Sequence, residues 1–96
     1  PISVIRTNRN KTIKIIDNVR CVELRIFYGK YPYCVFEEQA YTVHKLVSES
    51  YAGRLVLEHE DVHHCNHDRK DYSFENLVII SKELHVAIHK GEYRIA

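Results

Sequence analysis

The chain divides by hydrophobic period. From Ser3 to Phe36 apolar and polar residues alternate in short runs, the period of half-buried strands. Thr12-Ile13-Lys14-Ile15 is one run. Val19 to Phe27 is a second, with Val19, Cys21 and Glu23 on one side and Val22, Leu24 and Ile26 on the other. Asp17-Asn18 predicts a tight turn between them. Tyr28-Gly29-Lys30 punctuates before an aromatic-rich third run, Tyr31 to Phe36, in which Pro32 points to a sheet edge. From Tyr41 to Gly53 the period becomes helical. Val43, Leu46, Val47 and Tyr51 share a face, Thr42 stands at the N-cap, and Gly53 sits where a left-handed residue ends a helix. Arg54 to Asp61 reads as a loop, Val62 to His64 as a strand, and Asn66 to Phe74 as a polar loop. Leu77 to Ile80 is a short apolar strand. Ser81 caps a helix from Lys82 to about Lys90, with Glu83 in its first turn and Leu84, Ala87 and Ile88 as its core stripe. The expected fold class is α+β: an N-terminal antiparallel β meander, one helix, then a strand–strand–helix unit.

Length and composition narrow this further. Ninety-six residues make a single domain, 1–96, with a modest core. A bound metal would add stability by linking folding to ligation. There is no run of about eighteen apolar residues, so no membrane span is expected, and no signal-peptide pattern. The chain begins at Pro1 rather than Met, which implies a removed initiator or a piece of a longer protein. Three cysteines without a C-x-x-C pair argue against a disulfide framework or a zinc knuckle, and point to a reducing, cytoplasmic compartment. Cys65 reads as a small buried apolar side chain rather than a metal ligand.

The net charge of +1 hides an asymmetry. Residues 1–34 carry seven Lys or Arg against two acids, a net of +5; residues 35–96 carry seven against eleven, a net of −4. A basic N-terminal part is the electrostatic footprint of phosphate binding and equally of a solvated, strand-rich surface; in the first case Arg6, Arg9, Lys11 and Lys14 are the candidate phosphate contacts.

The chemistry concentrates between Val62 and His89, in V-H-H-C-N-H-D, F-E-N-L and H-V-A-I-H. Neighbours on a strand face opposite ways, so His63 and His64 have different jobs. His85 and His89, four apart, share one helix face. Two imidazoles at that spacing plus one from the strand give three nitrogen ligands with open positions, the pattern of a catalytic metal site. His64 then stands beside the metal without being consumed by it, suited to take a proton from water near neutral pH. Asn76 offers donor and acceptor to tie down the loop between the strands and hold His64.

The order histidine pair, asparagine, histidine resembles the HNH endonucleases of the small phage and intron-encoded branch, whose active site is a hairpin packed on one helix around a single metal ion. The resemblance spans about Tyr41 to Gly91, leaving residues 1–40 as a basic, β-rich, DNA-gripping part and 41–96 as the nuclease core. It implies metal-dependent hydrolysis of DNA phosphodiesters, with His64 as general base, Asn76 as the motif asparagine and His63, His85 and His89 as ligands of one divalent ion. Imidazoles favour zinc or nickel by affinity, and oxygens from substrate make magnesium or manganese the expected working ion. Arg69 and Lys70 are further candidate DNA contacts; His44 matches a position often histidine in relatives, as a structural residue or a phosphate contact. Relatives usually carry glycine where this chain has His67, which implies a reshaped turn or a phosphate contact there. The expected partner is DNA, bound by a monomer or homodimer. The rival readings are a non-catalytic metal-stabilised DNA-binding module and a toxin-type nuclease acting on DNA or RNA.

Overall fold

Helix α1 (Val43–Ala52) packs against both halves of the chain. The computed structural model, which describes residues 2–8 and 11–91, has three antiparallel sheets and two α-helices among those residues. The first sheet has β1 (Ile2–Asn8), β2 (Thr12–Asp17) and β3 (Arg20–Arg25) in that order. The second has β4 (Phe27–Tyr28), β5 (Pro32–Phe36) and β6 (Gln39–Thr42). The third is a hairpin of β7 (Glu60–His64) and β8 (Leu77–Ser81), followed by α2 (Lys82–His89). The α+β class and the strand–strand–helix unit therefore stand as expected.

Alternation does what it promised in β2. Ile13 and Ile15 are fully buried, while Lys14 lies on the other face in register between Arg6 and Glu23. The two isoleucines join Ile26, Cys34, Phe36, Val43, Leu46 and Val47 in the core. Two expectations are corrected. Val19 is not a strand residue: Asp17 pairs with Arg20, so Asn18 (φ 56°) and Val19 form a two-residue turn, and Val19 is 97% exposed. Pro32 does not mark an edge, because β5 lies between β4 and β6. As the first residue of its strand, proline lacks an N–H where the ladder can do without one. The meander is also two sheets rather than one, because Ile26 breaks the ladder and donates its N–H to the Lys11 carbonyl at 2.8 Å.

Helix α1 is tied to the first sheet by Ser50, whose Oγ accepts from Val4 N–H (3.1 Å) and donates to the Val4 carbonyl (3.3 Å). It starts at Val43 with Thr42 in the N-cap position, as expected, although Thr42 makes no side-chain cap bond. Gly53 ends it with φ 70°, in the left-handed region. The chain then turns into β7 through two carboxylates. Glu49 accepts from Val56 N–H at 2.8 Å, and Arg54 grips both oxygens of Glu60 at 2.7 and 3.1 Å. That guanidinium holds the Glu60 carboxyl at about 2, well below its ordinary range. Ser81 caps α2 as expected, its Oγ accepting from Leu84 N–H at 3.1 Å.

Cys65 is exposed, not buried. It opens the turn after β7, where its N–H goes to the Asn76 carbonyl at 2.8 Å and its side chain faces outward. All three cysteines are free. Among the described residues no helix is long and apolar enough to cross a membrane.

Candidate functional site

Strand geometry separates the histidine pair. His63 and His64 are adjacent on β7, 3% and 7% exposed, and their rings have different neighbours. His63 meets the helix histidines: its ring centroid is 5.3 Å from that of His85 and 5.7 Å from that of His89. His85 and His89, one helical turn apart, have centroids 4.6 Å apart and Nε2 atoms 3.0 Å apart. One nitrogen each of His63, His85 and His89 falls within 4.8 Å of the others, so the three converge on a volume of ionic size. This donor set fits a divalent first-row ion, with three imidazoles and room for oxygen ligands. Burial, then the neighbouring His85, His67 and His89, keep the His63 pKa below its ordinary value, so its nitrogens stay available.

A carboxylate orients one of these rings. Asp61 lies two residues before His63 and so on the same strand face. Its Oδ2 accepts the Nδ1 hydrogen of His85 at 3.0 Å, which leaves His85 Nε2 for the cluster. Sequence reasoning assigned Asp61 to a loop. Its period-two spacing from His63 was the available signal.

His64 has other company. Its ring lies 4.8 Å from that of His44, on α1, and 6.0 Å from that of Tyr31. His64 Nε2 and His44 Nδ1 are both sealed from solvent without a hydrogen-bond partner. Burial lowers the pKa of both rings. For His44, with added repulsion from His64 and Lys45, it falls to about 4; for His64 the lowering survives opposition from Asp71 and Asp68. Both imidazoles are therefore neutral near pH 7. His44 is thus packed against the candidate base, a placement its helix position did not reveal.

Asn76 closes a 3₁₀ turn, Phe74–Asn76, and knots the loop before it. Its Oδ1 accepts from Asn66 N–H (2.9 Å), and its Nδ2 donates to Asn66 Oδ1 (2.9 Å) and to the Asp71 carbonyl (3.1 Å). Asn66 in turn donates Nδ2 to Asp71 at 2.8 Å. The Asn76 side chain bonds to Asn66 and Asp71 rather than to His64, and the turn it pins returns His67 N–H to the His64 carbonyl at 2.9 Å.

An open cleft of about 260 Å³ is lined by Tyr31, Val62, His63, His64, His67, Arg69, His85 and His89. A larger one, about 440 Å³ beside β6 and α1, contains no histidine and lies away from this chemistry. Arg69 stands over the Tyr31 ring, 5.7 Å from its centroid. Lys70 is exposed in the same loop, its N–H given to Asp68 Oδ1. Arg6 and Lys11 are exposed and Lys14 half-buried on the first sheet; none lines the histidine cleft. Lys11 lies over the Tyr28 ring at 5.3 Å. Arg9 falls outside the described residues. His67, left with two roles open by the sequence, has φ 62° and turns its ring toward His63 and His89.

Residues 41–87 match a family model described as HNH endonuclease. No curated protein and no solved structure matches the chain.

Proposed function

We propose, from the premise that through residues 41–87 this chain belongs to the HNH endonuclease family, that it hydrolyses phosphodiester bonds of DNA with the help of one divalent ion. The observation that carries this reading is the division of labour on β7, where His63 joins the imidazole cluster and His64 lines the same cleft outside that cluster, buried and neutral. A module that used metal only for stability would have no use for a second, unligated histidine held in place by His44 and Tyr31.

His63, His85 and His89 would hold the ion, with Asp61 fixing the His85 tautomer. When bound, the ion supplies Lewis-acid stabilisation of the charge that develops on phosphate oxygens. His64 takes a proton from water at Nδ1, because its Nε2 is sealed. Burial keeps that ring unprotonated and ready as a base. Asn76 keeps the turn closed so that the His64 backbone does not drift. Arg69 and Tyr31 form the cleft wall on which a phosphate can rest, with Lys70 nearby in sequence.

Residues 1–96 act as one unit in this reading, the basic strands of 1–40 gripping the duplex and 41–96 cutting it. Arg6, Arg9, Lys11 and Lys14 supply sequence-independent phosphate attraction, which needs no contact with the reacting group. Magnesium or manganese is the working ion and zinc or nickel binds competitively. Three free thiols support a reducing, cytoplasmic setting. The test is incubation of the protein with supercoiled plasmid across a panel of divalent ions, with EDTA as control. Nicked or linear product that depends on the ion is expected. Intact plasmid under every ion tested overturns the reading, and degradation of RNA but not DNA redirects it to a ribonuclease.

A further inference from the structure

We infer that His67 is a fourth imidazole ligand of the ion assigned to His63, His85 and His89, so that four nitrogens hold an ion whose further positions stay open to oxygen. The inference rests on the three-histidine reading above.

Spacing is the first support. The His67 ring centroid is 5.3 Å from that of His63 and 5.4 Å from that of His89, meeting both nearly edge-on at 81° and 72°. Within the triad the spacings are 4.6, 5.3 and 5.7 Å. Neighbouring imidazoles on one ion, at a metal–nitrogen distance of about 2.1 Å, have ring centroids about 5 Å apart. The fourth ring therefore keeps the distance of a co-ligand rather than of a stacked neighbour. The mutual 4.8 Å grouping of nitrogens takes in only the other three, so His67 turns about its side-chain torsions to join them when the ion binds.

The backbone is the second support. His67 holds φ 62°, in the left-handed region that glycine adopts without strain and histidine rarely does. Such strain persists where the surrounding structure fixes it and clusters at functional positions. Here the fixing is visible. His67 N–H donates to the His64 carbonyl at 2.9 Å, and both flanking residues are tied down: Asn66 to Asn76 and Asp71, and Asp68 N–H to Asn66 Oδ1 at 2.8 Å. Among the described residues the His67 imidazole itself makes no hydrogen bond, so both its nitrogens remain free for an ion. It lies exposed on the wall of the cleft, opposite the buried His63.

Four imidazole nitrogens favour zinc, nickel or cobalt over magnesium and manganese more strongly than three do. The decisive experiment titrates metal-free protein with Co²⁺ and follows its visible absorption in the parent and in His67→Gly, His67→Asn and His85→Ala. Glycine and asparagine both accept the positive φ, and far-ultraviolet dichroism in EDTA checks that each variant is folded. The expected result is that both His67 variants bind Co²⁺ about tenfold or more weakly, at least the loss typical for removing an outer partner of a metal site. Their absorption should also fall in intensity as a nitrogen donor is exchanged for water. Parent-like affinity and spectrum in both His67 variants, with binding lost in His85→Ala, overturns the His67 inference alone. A parent that takes up no Co²⁺ overturns the three-histidine reading and this inference with it.

Discussion

Asp61 and His85 are joined across the gap between β7 and α2 by one 3.0 Å hydrogen bond, and that bond decides which His85 nitrogen faces the other imidazoles. A carboxylate behind a ligating histidine fixes the ring and raises its basicity. Asp61→Asn should therefore lower metal affinity by roughly 10- to 100-fold while leaving the fold intact. Isothermal titration with Zn²⁺ measures this. An unchanged dissociation constant would mean that the Asp61 hydrogen bond is incidental.

His64→Ala should separate chemistry from binding. Metal content and melting of the loaded protein stay near parental values, since His64 is not among the three converging imidazoles. Plasmid cleavage falls by about 10² to 10⁴, the usual worth of a positioned proton acceptor. Cleavage at the parental rate removes His64 from the mechanism.

His44 gives a prediction about pH in the metal-free protein. Its folded pKa of about 4 lies below the ordinary 6.5, so on acidification the unfolded chain takes up a proton first. Its contribution to stability is thus complete above about pH 6.5 and is lost as pH falls from there toward 4. His63 and His64 act in the same direction. His44→Leu removes one of the three, and the loss between pH 7 and 4.5 should shrink by about 2 kcal/mol, allowing for the ring's partial exposure. Urea midpoints at the two pH values decide it. Equal acid sensitivity in parent and variant contradicts the assignment.

Asn76→Ala leaves the Asn66 N–H without its partner and removes one of the two donors to the Asn66 side-chain oxygen, the Asp68 N–H remaining. A destabilisation of about 0.5–1.5 kcal/mol is expected, since water reaches the exposed Asn66 groups, with cleavage falling more than metal affinity because the turn under His64 loosens. Hydrogen exchange at Asn66 and His67 reports the loosening directly. Full protection of both amides in the variant goes against it.

Replacing Arg6, Lys11 and Lys14 by Gln should weaken DNA binding and flatten its salt dependence by about 0.9 for each phosphate that is no longer neutralised. Zn²⁺ affinity should not change. Parallel salt slopes would show that these side chains are solvated surface, and would move the search for the DNA grip to Arg69 and Lys70.

What could be read from the chain was what depends on spacing along it. The i, i+4 histidines of α2, the opposed faces of His63 and His64 and the Ser81 cap are all local consequences of helix or strand geometry. What could not be read depends on elements far apart in sequence meeting in space. His44 and Tyr31 reach His64 only because α1 and the turn before β5 pack beside β7. Two errors came from trusting alternation too far. It carries through Val19 although a two-residue turn consumes that position, and it carries past Ile26 although the sheet breaks there. Cys65 misled for a similar reason, since apolarity implies burial only where the chain still runs as a strand.

No strand of the first two sheets pairs with β7 or β8. The seam between the basic sheets and the nuclease hairpin is made by α1 and by rings such as Tyr31 on His64, not by a shared ladder of backbone bonds. Side-chain seams tolerate exchange of partners more readily than hydrogen-bonded ones, because no register has to be matched. The hairpin–helix unit can therefore be grafted beneath a different pair of sheets, provided that they offer an apolar bed for Leu46 and Val47, a backbone partner for Ser50 and an aromatic lid for His64.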